Sequence, residues 1–256
     1  MTALKENLEW LEAAIALACR RAGRARAEVE LMAVSKTYPA ATIAEAAGLG
    51  LKLFGENRVQ EFAAKAEALK SQRVGGAVAA DELTRSGPVR VHLIGHLQSN
   101  KAARAVELFD GFDSVDSVRL AERLNEAAAK LGKQLPILIE VKLSSEETKA
   151  GLLPESDEAG LLLERLPDLD HLQARGLMTI APFDVPEAET RACFRNLREW
   201  RDRWMVRHPR LAFDVLSMGM SGDFALAIAE GATRVRVGTS LFGSRPSAVH
   251  AAREKN

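Results

Sequence analysis

The chain has 256 residues, a length that α/β barrels commonly reach as one undivided domain. Its 35 basic residues balance its 35 acidic residues, so composition gives no indication of a nucleic acid or another polyanion as a partner. No apolar stretch is long enough to span a bilayer and no signal-like segment opens the chain, so we expect a cytoplasmic protein without a membrane partner. Cys19 and Cys193 lack CxxC spacing and nearby metal-ligand residues, which favours two buried thiols over a disulfide or a metal site.

Apolar residues at helical spacing predict a leading amphipathic helix over about Leu4 to Arg21. Eight short apolar runs typical of buried strands follow it: Leu31–Ser35, Leu51–Phe54, Val89–Ile94, Phe112–Val115, Pro136–Val141, Leu172–Thr179, Phe213–Leu216 and Thr233–Val237. Helix-like segments lie between them: Ala40–Ala47, Arg58–Leu69, Ser99–Glu107, Ser117–Leu131, Glu155–Leu166, Glu187–Arg207 and Ser221–Glu230.

This alternation predicts an α/β fold, a single (β/α)8 TIM barrel domain over residues 1–256 with an extra N-terminal helix. An open doubly wound sheet is the alternative, but no GxGxxG motif follows a strand. Ser71–Pro88 leads from a helix into a strand, which places it on the N-terminal face as a tolerated loop. Leu143–Pro154 follows a strand and therefore lies on the opposite face. No large apolar surface stripe is evident, so we expect a monomer.

Lys36 directly follows the first apolar run, and we predict it as the last residue of the first strand. Strand alternation places Lys36, Val34 and Met32 on one face. If that face points into the barrel, the ammonium lies in a partly desolvated opening, where its pKa falls and its amine can attack a carbonyl. A solvated lysine at a strand end is the alternative, so the assignment needs a second feature.

The second feature is a pair of turns after the last two strands. Ser221 precedes a helical run and is predicted to be its N-cap, where free backbone N–H groups suit a phosphate. Gly238 and Thr239 end the eighth strand in the same way, with the glycine allowing close backbone approach. These turns form the usual phosphate site of such barrels, although simple helix caps remain the alternative. An amine and a phosphate site together indicate pyridoxal 5'-phosphate (PLP), held as a Schiff base.

Arg236 adds a constraint on the chemistry. Val235 and Val237 suit the face packed on helices, so Arg234 and Arg236 should face the barrel interior, where an arginine needs a partner. Opposite a pyridine nitrogen, a guanidinium donates a hydrogen bond without delivering a proton, which weakens the ring as an electron sink. We therefore expect a site that holds PLP while restraining its chemistry.

The chain resembles the PLP homeostasis proteins (the YggS/PROSC family), which are similar to the N-terminal barrel of alanine racemases. The resemblance runs from about Leu31 to Arg245. It is carried by the motifs Ala33-Val34-Ser35-Lys36, Phe54-Gly55-Glu56-Asn57-Arg58-Val59-Gln60-Glu61, His92-Leu93-Ile94-Gly95-His96-Leu97-Gln98-Ser99-Asn100-Lys101, Gly176-Leu177-Met178-Thr179-Ile180-Ala181-Pro182, Leu216-Ser217-Met218-Gly219-Met220-Ser221 and Val235-Arg236-Val237-Gly238-Thr239.

The resemblance implies a cofactor site and a function. It implies that Lys36 carries the Schiff base, that Arg236 faces the pyridine nitrogen, and that Asn57 and Met178 lie near the cofactor. Phosphate binding is implied for four further residues, Ser217, Ser221, Gly238 and Thr239. The implied function is intracellular PLP (vitamin B6) homeostasis, in which the protein buffers PLP and passes it to PLP-dependent apo-enzymes without established turnover.

Two catalytic alternatives remain at this point. A PLP-dependent amino-acid racemase needs acid and base groups on both faces of the substrate's α-carbon. In alanine racemases the second base is a tyrosine supplied across the dimer by an additional domain, whereas Tyr38 is the only tyrosine here. A Schiff-base aldolase acting on a phosphorylated sugar would use the same lysine and phosphate site, but the protein would be colourless instead of yellow.

Overall fold

A computed structural model describes residues 2–75, 89–144, 146 and 150–243 of the chain. Eight parallel strands form a closed barrel in sequence order, and β8 pairs with β1 to complete it. The strands are β1 (Glu30–Val34), β2 (Leu53–Glu56), β3 (Arg90–Leu93), β4 (Gly111–Val115), β5 (Leu135–Glu140), β6 (Leu172–Met178), β7 (Val215–Ser217) and β8 (Arg234–Val237). The predicted TIM barrel is confirmed. We call the end of the barrel formed by the carboxyl ends of these strands the mouth, and the opposite end the base.

Helices surround the barrel and bury their apolar faces against it. Within the described residues they are α1 (Ala3–Arg21), α2 (Ala40–Gly48), α3 (Val59–Gly75), α4 (Ala102–Leu108), α5 (Val118–Lys130), α6 (Asp157–Arg165), α7 (Glu187–Arg207), α8 (Phe224–Ala229) and α9 (Thr239–Phe242). The predicted leading helix is α1. It begins after Thr2, whose side chain accepts a hydrogen bond from Lys5 N–H as an N-cap.

Helix α1 lies across the last part of the barrel wall, where it packs against α8 and α9. The Asn7 side-chain amide donates to Leu241 O at 3.0 Å, and Arg24 Nη1 donates to Ala232 O at 2.7 Å. These bonds satisfy carbonyl groups of the final α/β unit, so α1 and the residues directly after it fix the segment that carries the predicted phosphate turns. Cys19 and Cys193 are buried and are not joined in a disulfide, as predicted. Within the described residues no helix is long and apolar enough to cross a membrane.

Several predicted boundaries differ from the structure, and two of these differences change an interpretation. Strand β1 ends at Val34, so Lys36 lies two residues beyond the strand, because the chain turns away from the sheet there. Helix α3 continues to Gly75, so Ser71–Gly75 is helical and not the start of a loop. Residues 76–88, the rest of the predicted loop, lie outside the described residues.

The part of the barrel interior nearer the base is polar. Arg234 Nη1 on β8 donates to Asp113 Oδ2 on β4 at 3.0 Å, so this ion pair crosses the barrel. The other Asp113 oxygen bonds His92 Nδ1 at 2.8 Å, and Arg234 also contacts Glu30 at 2.8 Å. His92 is therefore a hydrogen-bonded structural histidine. Burial disfavours ionisation of Asp113, but Arg234 and His92 outweigh it and hold its pKa below the ordinary value.

Candidate functional site

Lys36 lies at the mouth in a turn that directly follows β1. It is partly exposed, whereas Ser35 before it is fully buried. The Ser35 hydroxyl donates to Glu56 Oε1 at 2.7 Å on the outer side of the sheet. Lys36 lies in the turn beyond the strand, where strand alternation no longer fixes the direction of a side chain, so its inward direction stays a prediction.

The ends of β5, β6 and β7 form one level of the mouth. Glu140 is in register with Met178, and Met178 is in register with Ser217. All three are buried last residues of their strands. The sequence-predicted Met178 and Ser217 therefore lie side by side at the mouth, next to a carboxyl group that sequence reasoning missed.

Arg236 lies inside the barrel at the mouth level and is 4% exposed. Its Nη1 donates to Ser217 O at 2.7 Å and Ser217 Oγ at 2.9 Å, and its Nη2 donates to Thr179 O at 2.8 Å. These bonds fix the guanidinium between the ends of β6 and β7. Burial lowers its pKa, which Asp113 and Glu140 oppose, and an arginine stays cationic in such surroundings. Both arginines of β8 face the interior, as predicted.

The turns after β7 and β8 meet. Ser221 Oγ accepts a hydrogen bond from Ser240 N–H at 3.3 Å, which places Ser221 beside the start of α9 at Thr239. Gly238 lies against the backbone of β1, where a Cβ would come within 3.1 Å of Val34 O. The glycine therefore lets the turn after β8 approach the segment that carries Lys36.

The role predicted for Ser221 as a helix cap is wrong. The N-cap of α8 is Asp223, whose Oδ1 accepts from Met220 N–H at 2.5 Å. The Asp223 carboxylate is thus occupied within its own turn. Ser221 instead joins two separate turns, because its hydroxyl has a long-range partner in Ser240.

Asn57 follows β2 and is half buried. Its backbone packs against Gly95 after β3, where a Cβ would overlap the Asn57 carbonyl oxygen. The side-chain Oδ1 is buried and has no hydrogen-bond partner among the described residues. A buried acceptor without a partner is rare, so this oxygen marks a place where a donor is missing.

Glu140 is the principal site residue that sequence reasoning missed. Burial, and next the nearby Asp116 carboxylate, raise the pKa of Glu140 to about 7, against the effects of Arg236 and His96. The carboxyl group lines a cavity of about 260 Å³ at the mouth, and Ile180 forms part of its wall. A glutamate within the apolar run Pro136–Val141 was the available signal, but its significance depends on strand register.

Two other polar residues at the mouth have protein partners. His96 Nδ1 bonds Asp116 Oδ2 at 3.1 Å, so this histidine reaches the mouth paired with a carboxylate. The Tyr38 hydroxyl donates to Gly243 O at 2.6 Å, and the side chain is 6% exposed. The single tyrosine of the chain is therefore held at the last turn of the barrel.

The chain is similar to known proteins over nearly its whole length. It matches the alanine racemase N-terminal domain family over residues 3–246. It is 40% identical to the pyridoxal phosphate homeostasis protein of Aquifex aeolicus, over 94% of this chain and 97% of the relative. The protein of the same name from Pseudomonas aeruginosa is 39% identical over 96% of this chain and 97% of the relative. This chain belongs to the pyridoxal phosphate homeostasis protein family. The resemblance found in the sequence motifs is confirmed.

Solved structures give the same relationship. PipY of Synechococcus elongatus, a structure with PLP bound, aligns with a TM-score of 0.79 and 41% identity over 94% of this chain and 100% of PipY. An alanine racemase of Clostridium difficile aligns with a TM-score of 0.67 at 16% identity, over 96% of this chain but 57% of the racemase. The likeness to the racemase shows the fold alone, and it confirms the predicted alanine-racemase-like barrel.

Proposed function

We propose that this homeostasis-family protein binds PLP at the mouth of the barrel through a Schiff base to Lys36, and that it buffers PLP and delivers it to PLP-dependent apo-enzymes. The observation that carries the proposal is Arg236, a buried cation fixed by Ser217 and Thr179 at the level where the pyridine ring is expected. The binding of PLP by PipY, at 41% identity, supports the same cofactor for this chain.

The residues present fit PLP. The turns after β7 and β8 are joined through Ser221 and Ser240, and they offer hydroxyl and backbone donors suited to a phosphate. Gly238 brings this donor group close to β1, and hence towards Lys36. The buried Oδ1 of Asn57 lacks a donor and suits a hydroxyl or protonated group of a ligand. Hydroxyl, amide, amine and guanidinium groups are therefore supplied from separate strand ends.

Lys36 and Arg236 have different proposed roles in binding PLP. PLP, when bound, supplies an aldehyde carbon for attack by a primary amine and a pyridine ring able to withdraw electrons. The Lys36 amine provides the covalent attachment, and it attacks in its deprotonated form. Arg236 donates a hydrogen bond towards the ring nitrogen and keeps its own protons, because a guanidinium is not a useful acid at neutral pH.

This arrangement favours storage over turnover. A carboxylate opposite the ring nitrogen would hold a proton there and strengthen electron withdrawal, whereas Arg236 does not. For the alternative amino-acid racemase, a second base is needed, and the hydroxyl of Tyr38 instead donates to Gly243 O. We therefore propose reversible binding of PLP without racemase activity.

Substitution of Lys36 tests the proposal. Purified protein loaded with PLP should show a visible absorption band that borohydride removes, and Lys36→Ala should lack this band. The matched control is Lys52→Ala, at an exposed lysine preceding β2 at the base of the barrel. A band of equal intensity in Lys36→Ala would contradict the attachment site, and colourless wild-type protein after loading would contradict PLP binding.

A further inference from the structure

The turn that contains Lys36 has a strained backbone. Thr37 has φ +70, in the left-handed region that a β-branched residue rarely adopts. Among the described residues, only Thr37 and Asp184 combine a side chain with a positive φ. Such a conformation persists only where surrounding contacts hold it, and it is often found at functional sites.

Three side chains outside the barrel hold both neighbours of Lys36. Glu61 Oε1 accepts from Thr37 N–H at 2.5 Å. Ser35 Oγ donates to Glu56 Oε1 at 2.7 Å, and Ser35 O accepts from Lys65 Nζ at 2.9 Å. The residues immediately before and after Lys36 are thus tied to the end of β2 and to α3.

Lys65 is the centre of this network. Its ammonium bonds Ser35 O, Glu56 Oε1 at 2.8 Å and Glu61 Oε1 at 2.7 Å, which occupies all three donors. The residue is 8% exposed, so its charge has been removed from water. Burying an ammonium is costly unless it is paired, and a whole buried ion network can often be replaced by apolar side chains without loss of stability. Removal of the lysine alone is different, because it leaves two carboxyl groups without their cation.

The charge of Lys65 is needed to keep the two carboxyl groups together. Burial raises the pKa of Glu56, although Lys65 and Ser35 act against it. Burial also raises the pKa of Glu61. The hydrogen bonds from Lys65 and Thr37 have the larger effect, so the pKa of Glu61 lies below its ordinary value. Without the ammonium, two carboxyl groups would face each other and Ser35 O would keep only the Tyr38 N–H as its donor, so both restraints on the turn would weaken.

We propose that Lys65 is the positioning residue for Lys36: it holds Glu56, Glu61 and the Ser35 carbonyl in the arrangement that fixes the turn and presents the reactive amine. The inference rests on the proposed function, because it concerns the amine that carries PLP. It also predicts that Lys65 restrains the backbone of this turn in the cofactor-free protein, which can be tested without PLP.

The first test measures amide hydrogen exchange of Thr37 in cofactor-free protein. In Lys65→Met the Thr37 amide should exchange about tenfold faster or more, because its bond to Glu61 loosens. The matched control is Lys133→Met, which also removes a lysine bonded to a carbonyl oxygen, here Val106 O at 2.6 Å, far from Lys36. Unchanged exchange in Lys65→Met would overturn the inference. If Lys65→Met fails to fold, Lys65→Gln, which removes the charge but keeps a polar side chain, gives the same test.

The second test measures the rate at which PLP is trapped on Lys36 by borohydride. Lys65→Met should be slowed about tenfold or more, while Lys133→Met stays at the wild-type rate. Adding Thr37→Gly to Lys65→Met should restore most of the rate, because glycine adopts a positive φ without restraint. A purely structural role for Lys65 would predict a lowered melting temperature with no rescue, and that result would overturn the inference.

Failure of the proposed function and failure of the positioning role give different results. Wild-type protein that traps no PLP at Lys36 contradicts the proposed function. Wild-type protein that traps PLP normally, with Lys65→Met equal to it in trapping rate and Thr37 exchange, contradicts only the positioning role.

Discussion

The charged residues inside the barrel form two levels with different properties. At the base level, Asp113 and Arg234 neutralise each other across the barrel. At the mouth level, Arg236 donates to neutral oxygens of Ser217 and Thr179, and the Glu140 carboxyl group remains near it. The charges of Asp113 and Arg234 are therefore paired with each other, whereas the charge of Arg236 faces neutral oxygens.

Glu140 gives the protein a pH dependence of stability. Its pKa rises from 4.5 to about 7 on folding, so between these values the folded state binds a proton that the unfolded chain has released. The stabilising effect is complete below about pH 4.5 and is lost as pH rises through about 7. The free energy of unfolding of wild type relative to Glu140→Gln should therefore fall by on the order of 3 kcal/mol between these limits.

Urea unfolding of both proteins at pH values spanning this range measures the difference. Glu164→Gln, an exposed substitution on α6, controls for the amide replacement itself. A difference between wild type and Glu140→Gln that stays constant with pH would contradict the assigned burial of this carboxyl group.

In the proposed complex with PLP, we expect Arg236 to leave the ring nitrogen unprotonated. In Arg236→Glu, a carboxyl group replaces the guanidinium and favours a protonated nitrogen, so the visible band of the PLP-loaded protein should shift and slow side reactions with amino acids become possible. Arg236→Gln keeps a neutral donor and should leave the band close to that of wild type. Identical spectra for folded Arg236→Glu and wild type would count against this contact.

At the level of secondary structure elements, one ion pair ties opposite sides of the barrel. Asp113→Asn on β4 leaves Arg234 on β8 buried without its full partner, which should lower the free energy of unfolding at pH 7 by about 3 kcal/mol. Because the folded pKa of Asp113 is depressed, this contribution is present above the ordinary value of 3.8 and is lost as pH falls further.

Denaturant unfolding at pH 7 and at acid pH checks this expectation. The matched control is Asp214→Asn, which breaks an exposed ion pair with Arg175 and should change stability by less than about 1 kcal/mol. Equal effects of the two substitutions would show that the cross-barrel pair has no special role.

The elements of the fold were predictable because each depends on local pattern. Eight apolar runs separated by helical segments were sufficient to predict a closed barrel, and alternation along β8 predicted that Arg234 and Arg236 face inward. The place of Lys36 after the first run, together with the turns after the last two strands, pointed to it as the candidate amine, and the family motifs implied the same residue.

The features that the sequence did not predict depend on contacts between residues distant in sequence. The left-handed turn at Thr37 is held by Glu61 and Lys65, and its β-branched residue favours an extended backbone when considered alone. Ser221 was predicted as a cap, but its partner is Ser240 in another turn. Glu140 acquires significance only through register with β6. Such tertiary contacts leave no local pattern.

At the level of the whole molecule, the proposed PLP site lies at the mouth of the barrel and not at its base. Residues 76–88 connect the end of α3 to the start of β3, and the start of a strand belongs to the base. Replacing these residues with a short glycine–serine linker should leave PLP affinity within about twofold of wild type, because the mouth is formed by the carboxyl ends of the strands. Loss of affinity with an unchanged melting temperature would show that this segment reaches the mouth.

The most direct measurement for the whole account is peptide mass mapping of PLP-loaded protein after borohydride reduction. The account predicts one stoichiometric phosphopyridoxyl group on the peptide that contains Lys36, and none in Lys36→Ala. Modification of a different lysine, or an unmodified chain, would contradict it.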